Sequence, residues 1–172
     1  MPQASDELSK AVTLQPNNAQ FHYDLGTVFL AGSQPDRAIA EFFEAIRLKT
    51  DFADAQENLA VALAGRGRLP EAIYHFTRVV QLKPNDPETR FNLGFAYLND
   101  HQPANAAAQF SEELRLAPNQ TKAHYRLAQA LEQKNKPSEA VSQYRETLRL
   151  TPNFPDAQKE LDEILAAHPE LH

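Results

Sequence analysis

The sequence is dominated by one interval, because the same residue types return every 34 positions without a slip. Leucine fills two such columns and alanine fills a third. The three columns are Leu14/Leu48/Leu82/Leu116/Leu150, Leu25/Leu59/Leu93/Leu127/Leu161 and Ala4/Ala38/Ala72/Ala106/Ala140. Self-similarity at this period is typical of arrays in which each repeat is one supersecondary unit. We therefore expect a stack of repeated units rather than one ordinary domain.

Each period contains two helical stretches separated by a turn. His22, Leu25 and Phe29 are spaced three and four residues apart, which places them on one face of a helix. The stretch AGSQPD at 31–36 then interrupts the pattern, and Pro35 suits the start of the next helix, where its missing N–H has no partner to lose. The second helices end in LKPND (82–86), LAPNQ (116–120) and LTPNF (150–154). Each unit is thus predicted to be a helix–turn–helix that buries its apolar stripes only by stacking on its neighbours.

The motifs inside the period resemble those of the tetratricopeptide repeat, a 34-residue helix pair with fixed Leu-Gly, Ala-x3-aromatic and Pro positions. The matches are Leu25-Gly26, Leu59-Ala60, Leu93-Gly94 and Leu127-Ala128, then Ala38/Phe42, Ala72/Phe76, Ala106/Phe110 and Ala140/Tyr144. The leading Trp of the family motif is replaced by His22, Gln56, Arg90 and His124. The resemblance implies an all-α fold, a right-handed α-solenoid of stacked antiparallel helix pairs that forms a superhelix.

The repeat register predicts a single array over 1–172 with incomplete ends. Four full repeats are expected at 19–52, 53–86, 87–120 and 121–154. Residues 3–15 match only a second helix, which suggests an array that continues upstream; a lone N-terminal lid is the alternative. Residues 155–167 match only a first helix, in which Asp162 replaces the small residue that admits the paired helix. A carboxylate in that contact would be desolvated without a partner, so we expect a C-terminal capping helix at 155–167.

Composition argues against several classes of function. The chain contains no Cys, which excludes disulfides, thiolate metal sites and a Cys nucleophile. Its net charge of -6 argues against general nucleic-acid binding, and no apolar run approaches the roughly 18 residues of a membrane span. No nucleophile elbow, phosphate loop or zinc motif occurs, and the six His form no ligand set. We therefore predict no enzyme, no cofactor and no metal site.

Two short stretches have plain structural interpretations. GRGR at 65–68 is expected to be only a turn between helices. The opening MPQASDELSK has no charged-then-apolar signal pattern. Neither this stretch nor the absence of Cys fixes the compartment, so the cytoplasm is the default expectation.

The resemblance implies that the first helices line a concave groove, so their outer faces carry the candidate binding residues. One column of that face contains Asp24, Asn58, Asn92 and Arg126. Asn offers donors and an acceptor to a peptide backbone and is a poor residue for a helix interior. The chain resembles in this respect the repeat domain of O-GlcNAc transferase, with its ladder of Asn side chains. Alternatively, the Asn residues fill an unconstrained solvated face.

Aromatic side chains fall on the same face, at Tyr23, Phe91, Phe95 and Tyr125. Exposed aromatics at one locus suggest binding anchors, although Phe95 could equally pack against the neighbouring repeat. The face is acidic in its first half and basic in its second, through Asp24, Asp54, Glu57 and Glu88 against Lys122 and Arg126. A matching ligand would carry basic residues toward the first two repeats and a carboxylate toward the fourth.

These residues predict a module that binds an extended peptide or partner segment whose identity the sequence does not give. The predicted binding set is Tyr23, Asp24, Asn58, Phe91, Asn92, Phe95, Lys122, Tyr125 and Arg126. In the family's chaperone-binding carboxylate clamp, Glu57 would stand at one of the clamp positions and repel a carboxylate, which argues against such a clamp. Two other functions stay open: a structural or self-assembly spacer whose copies dock through Leu8 and Val12, and a regulatory appendage of a larger enzyme.

Overall fold

The computed structural model describes residues 2–171, in which ten α-helices follow one another without a strand and a short 3₁₀ turn, Pro169–Leu171, comes last. The helices are α1 (Pro2–Leu14), α2 (Ala19–Ala31), α3 (Pro35–Leu48), α4 (Ala53–Gly65), α5 (Leu69–Leu82), α6 (Pro87–Asn99), α7 (Pro103–Leu116), α8 (Thr121–Gln133), α9 (Pro137–Leu150) and α10 (Pro155–Ala167). The all-α class expected from the sequence is confirmed. Over the same described residues, every helix falls short of the length and apolar character that crossing a membrane requires.

The helices form two compact units, unit 1 (Met1–Pro84) and unit 2 (Asn85–His172). In unit 1 each helix from α1 to α5 packs against the next, and in unit 2 the same holds from α6 to α10. Helices α2, α4, α6 and α8 are the first helices of their pairs, and α3, α5, α7 and α9 are the second helices. The helix–turn–helix pattern predicted from the apolar spacing is thus confirmed.

Proline and polar caps define where the helices begin. Proline occupies the first turn of most of them, and Pro35 begins α3 as its position predicted. The Asn18 side chain accepts a hydrogen bond from the Gln20 N–H at 3.0 Å at the start of α2. At the start of α6 the Asp86 carboxylate accepts one from the Glu88 N–H at 3.2 Å. Each cap satisfies a backbone donor that has no partner inside its helix.

Each turn between a first and a second helix contains one residue in the left-handed backbone region. These residues lie 34 positions apart, and their φ angles are 56° at Ser33, 75° at Gly67, 55° at His101 and 56° at Asn135. The next N–H bonds back to a carbonyl five residues earlier, as from Arg68 to Leu63 at 3.0 Å, which is the Schellman arrangement. Within GRGR, Gly65 ends α4 and Arg66, Gly67 and Arg68 form the predicted turn.

A small residue on the first helix meets an aromatic ring of the second helix at the centre of two of the pairs. A Cβ added to Gly26 would lie 2.7 Å from Cε1 of Phe42, and one added to Gly94 would lie 2.8 Å from Cε1 of Phe110. Both phenylalanine side chains are fully buried. The Gly of the Leu-Gly motif thus permits a close approach of the two helices that a larger side chain would obstruct.

The polar residues that replace Trp in the motif tie the two helices of a pair together. Nδ1 of His22 lies 2.7 Å from the Glu41 carboxylate, and its Nε2 lies 2.9 Å from the Pro16 carbonyl oxygen. His124 uses the same arrangement, with Nδ1 at 2.7 Å from Oε1 of Gln143. Both histidines therefore serve packing within their pairs.

The first and last helices differ in what they expose. In α10, Leu161 and Ile164 are buried, while Asp162 is exposed and accepts a hydrogen bond from Gln158 at 2.9 Å. In α1, Leu8 is half-buried and Leu14, at its end, is 80% exposed. The boundaries of the repeats and the capping role of α10 stay predictions.

Candidate functional site

Three predicted binding residues lie together on α2 and α4 of unit 1. The Tyr23 hydroxyl accepts a hydrogen bond from the Asn58 amide at 3.3 Å. The centroid of the half-buried Tyr23 ring lies 4.9 Å from that of Phe52. Asp24 is also half-buried and accepts a hydrogen bond from Gln20 at 2.8 Å. All three side chains are therefore partly engaged by neighbours in unit 1.

The prediction that Tyr125 is an exposed aromatic is wrong. Its side chain is only 8% exposed, and its ring centroid lies 4.9 Å from that of Phe154 and 5.9 Å from that of Tyr144. The hydroxyl donates a hydrogen bond to Glu160 at 2.9 Å. Burial, and then this hydrogen bond, raises the pKa of Tyr125 to about 12. The ring is enclosed because Phe154 packs over it at the entrance to α10.

The most exposed aromatic of the predicted set is Phe95, on α6 of unit 2. Its side chain is 38% exposed, and its ring lies parallel to that of Phe91, with an interplanar angle of 4° and 6.4 Å between centroids. The guanidinium carbon of Arg126 lies 5.0 Å from the Phe95 centroid, within the range of a cation–π contact. Phe95 is therefore partly exposed and also contacts Arg126 of the next first helix, whereas the Phe91 ring is half-buried and packs toward Phe110.

Asn92 and Lys122 lie near these aromatics and complete the set in unit 2. Both line a pocket of about 510 Å³, together with Phe91. Within the described part of unit 2 the side-chain amide of Asn92 makes no hydrogen bond, whereas the side-chain amide of Asn58 in unit 1 donates one to Tyr23. We call Phe91, Asn92, Phe95, Lys122 and Arg126 the unit 2 face.

Glu113, which is not among the predicted site residues, lines the same pocket from α7. Glu113 is only 4% exposed, and its Oε2 finds no hydrogen-bond partner in the described chain. Burial raises the pKa of the Glu113 carboxyl to about 7. The repeat register contains an indication of this residue, because the equivalent positions hold Ala45, Val79 and Thr147. A carboxylate in a column of small or apolar residues is an exception that packing does not require.

A second polar cluster joins three helices of unit 2. The buried Tyr144 hydroxyl of α9 lies within hydrogen-bond distance of the Glu132 and Glu160 carboxylates, which belong to α8 and α10. Burial, and then the contact with Glu160, raises the pKa of Tyr144 well above its usual range. The cluster therefore holds α8, α9 and α10 together through one neutral phenol between two carboxylates. Among residues 2–171 no group of three His, Asp or Glu side chains is arranged to hold a metal ion.

Many solved structures share this fold, and three of them illustrate the similarity. YrrB, described as a TPR protein with an unusual peptide-binding site, has a TM-score of 0.85 at 20% identity, covering 98% of this chain and 87% of its own. MamA from Desulfovibrio magneticus RS-1 has a TM-score of 0.83 at 19% identity, covering 89% and 86%. The first TPR of Spaghetti (RPAP3), bound to the HSP90 peptide SRMEEVD, has a TM-score of 0.65 at 28% identity, covering 67% and 91%.

Family models match most of the chain. The Tetratricopeptide repeat model matches residues 2–50 and 23–87, and the model of Anaphase-promoting complex, cyclosome, subunit 3 matches residues 66–147. No curated protein sequence matches the chain. Three observations agree: the 34-residue period, the alternation of first and second helices, and the first of these family models, which covers half of the sequence. The chain therefore belongs to the tetratricopeptide repeat family.

Proposed function

We propose that this chain is a protein-interaction module that binds an extended segment of a partner protein against the exposed faces of its first helices. The observation that carries this proposal is Phe95, an aromatic side chain 38% exposed on α6 with the Arg126 guanidinium 5.0 Å from its ring. Large aromatic and Arg side chains are the residues that most often dominate the energy of protein interfaces. A partly exposed aromatic ring on a rigid helix supports an anchoring role.

The rest of the unit 2 face supplies complementary polar groups. The unbonded Asn92 amide offers donors and an acceptor to a partner backbone. Arg126 favours an acidic group of the partner near α8. Because stacked helices hold these groups in place before binding, little conformational entropy is lost when the complex forms.

Unit 1 offers a similar but weaker surface on α2 and α4. Val61, at the position equivalent to Phe95 in the repeat, is 45% exposed. Asn58, the counterpart of Asn92, already donates to Tyr23 and would exchange this bond for one to the partner. We therefore assign the stronger contribution to the unit 2 face.

Two of the structural neighbours support a peptide as the ligand class, because one is described as having a peptide-binding site and another as holding the HSP90 peptide SRMEEVD. The HSP90 peptide SRMEEVD is not expected to be a ligand of this chain. Glu57 stands at a clamp position, and although Lys83 lies 3.9 Å away, an acidic residue there repels a carboxylate. A carboxylate clamp of the chaperone-binding kind is therefore disfavoured.

The proposal is tested by selecting a display library of extended peptides, internal and C-terminal, on the intact chain. Selected peptides are then measured against Phe95→Ser, Asn92→Ala and a control, Tyr74→Ser. Tyr74 is 62% exposed on α5, a second helix, so its removal alters an exposed aromatic outside the proposed surface. We expect the first two variants to weaken binding and the control to leave it unchanged. Equal affinity for all four proteins would refute the assignment.

Self-assembly through α1 is a second candidate, favoured by the 80% exposure of Leu14. In that case the molar mass in solution would rise with protein concentration, and Leu14→Glu would abolish the rise. A mass that stays monomeric at high concentration would exclude this function and leave peptide binding in place.

A further inference from the structure

The pocket beside Asn92 is built from three helices of unit 2. Asp86, Pro87, Glu88, Phe91 and Asn92 contribute the start of α6, Glu113 the end of α7, and Gln120 and Lys122 the start of α8. Its volume of about 510 Å³ is sufficient for a long side chain but small for a whole peptide. The pocket therefore suits one residue of a bound segment.

Glu113 is the feature of this pocket that packing leaves unexplained. The side chain is only 4% exposed, and one carboxyl oxygen has no donor in the described chain. A buried polar atom without a partner lowers stability unless a ligand supplies the missing bond. Ala45, Val79 and Thr147 occupy the equivalent positions, so the fold does not need an acid there. The orphan oxygen points to a ligand that carries a hydrogen-bond donor.

The charges around the pocket select the kind of donor. Asp86, Glu88 and Glu113 line it together with a single cation, Lys122. An excess of carboxylates favours a positively charged group, and the ring of Phe91 offers an aromatic wall to a cation. The Asn92 side-chain carbonyl is an additional acceptor.

Resting on the function proposed above, we propose that this pocket receives a basic side chain, Arg or Lys, of the bound partner segment, with its charged head paired to Glu113. An arginine fits best, because its guanidinium donates to a carboxylate and to Asn92 at once and stacks on Phe91. The partner thus carries its basic residue toward the start of α6, where Asp86 and Glu88 add negative charge to the pocket.

Binding of a cation would change the protonation of Glu113. Its pKa of about 7, raised by burial, leaves the carboxyl partly protonated near neutral pH. A guanidinium in the pocket favours the ionised form, so binding releases a proton and the affinity rises from pH 6 to pH 8. Asp86, Glu88 and Lys122 are the other charged groups lining the pocket. The pH dependence must therefore disappear when Glu113 alone is replaced.

The test uses a small probe, so that it does not depend on finding the partner. N-acetyl-arginine-N-methylamide is titrated into the isotope-labelled full chain and followed by the amide resonances of residues around the pocket. The neutral isostere N-acetyl-citrulline-N-methylamide is the matched probe. Three variants are compared. Glu113→Gln removes the charge at constant size, and Lys122→Gln removes the opposing cation. Glu112→Gln is the control, because the Glu112 carboxylate on α7 pairs with Arg115 and does not line the pocket.

We expect saturable shifts around the pocket with the arginine probe and none with the citrulline probe. Glu113→Gln should weaken binding at least about tenfold and remove its pH dependence, because a buried charge pair is lost. Lys122→Gln should strengthen binding, and Glu112→Gln should leave it unchanged. Equal binding of the two probes, an unaffected Glu113→Gln variant, or no saturable shift in the wild type would overturn the proposal.

The outcomes separate this inference from the proposed function. Peptides that require Phe95, combined with no response to the arginine probe, would leave the interaction module intact and remove the basic pocket. A response to the probe that requires Glu113, without any selected peptide, would establish the pocket and count against the wider binding face. Glu113→Gln is checked for folding by its amide spectrum before either conclusion is drawn.

Discussion

Replacing Glu113 by Val tests the energetic consequence of the buried carboxyl directly. Val is the residue found at the equivalent position 79, so the fold accommodates that side chain in this column. Glu113 is 4% exposed and its Oε2 has no partner in the described chain, so the ionised form is poorly stabilised in the folded protein. The Val variant should therefore be more stable than the wild type at alkaline pH.

The size of the effect follows from the pKa. Burial raises the Glu113 pKa from 4.5 to about 7, so the folded state holds this proton more tightly than the unfolded state. The stabilisation linked to the proton is complete below pH 4.5 and is lost as pH rises through 7. At about 1.4 kcal/mol per pKa unit, the loss is about 3 kcal/mol between pH 4 and pH 8.

The assay is urea denaturation of wild type, Glu113→Val and Glu113→Gln at a series of pH values. Other carboxylates titrate as well: Arg47, through a side-chain hydrogen bond, lowers the pKa of Glu44, and this contribution has the opposite sign. It is common to all three proteins and cancels in the differences. The stability of the variants relative to wild type should rise by about 3 kcal/mol from pH 4 to pH 8. A stability difference that does not change with pH would show that Glu113 does not have a raised pKa in the folded protein.

The remaining predictions are checked by the same denaturation measurement at neutral pH. Gly94→Val should destabilise by about 3 kcal/mol, because even a single Cβ would lie 2.8 Å from the buried Phe110 ring. Gly67→Ala should cost about 1 kcal/mol, since its φ of 75° disfavours a side chain. Gly65→Ala, in a helix with open space around the added Cβ, should instead stabilise by up to about 1 kcal/mol. Tyr144→Phe should destabilise by about 1–3 kcal/mol, because the buried hydroxyl no longer donates its proton to the Glu160 or Glu132 carboxylate.

The fold was predictable because its determinants are local and repeated. A helix begins at Pro35 and a turn closes at Gly67, both positions that short-range chemistry defines. The Gly26–Phe42 contact follows from the Leu-Gly and Ala-x3-aromatic motifs, in which a small residue faces a ring. Each of these features recurs at the same interval, so one repeat supports the interpretation of the next.

The exposure of individual site residues was less predictable, because it depends on contacts between successive pairs. Tyr125 lies on the face of α8 that was expected to be solvent-exposed, yet the Phe154 ring covers the Tyr125 side chain. The sequence does contain the relevant pattern: Tyr23 and Tyr125 are each followed 29 residues later by a Phe, Phe52 and Phe154. In both cases the ring centroids are 4.9 Å apart. Helix periodicity assigns a face to a residue, but it does not show what the next helix places over that face.

The burial of Glu113 could not be predicted from the sequence either. Its column in the repeat marks it as an exception, but the sequence alone does not show whether a lone acid in such a column points to solvent or into a pocket. Only the packing of α6, α7 and α8 reveals that the carboxyl is buried beside Asn92 and Lys122. The functional interpretation of a repeat protein therefore depends on the positions that depart from the repeat, viewed in their three-dimensional surroundings.

A partner segment is proposed to bind to the exposed face of the first helices, and mapping where a selected peptide binds tests this proposal directly. The peptide is titrated into the isotope-labelled chain while the side-chain and amide resonances are followed. The account predicts that the largest shifts cluster at Phe95, Asn92 and Arg126 of the unit 2 face. Shifts concentrated instead around Tyr74 on α5, or along α1, would contradict it.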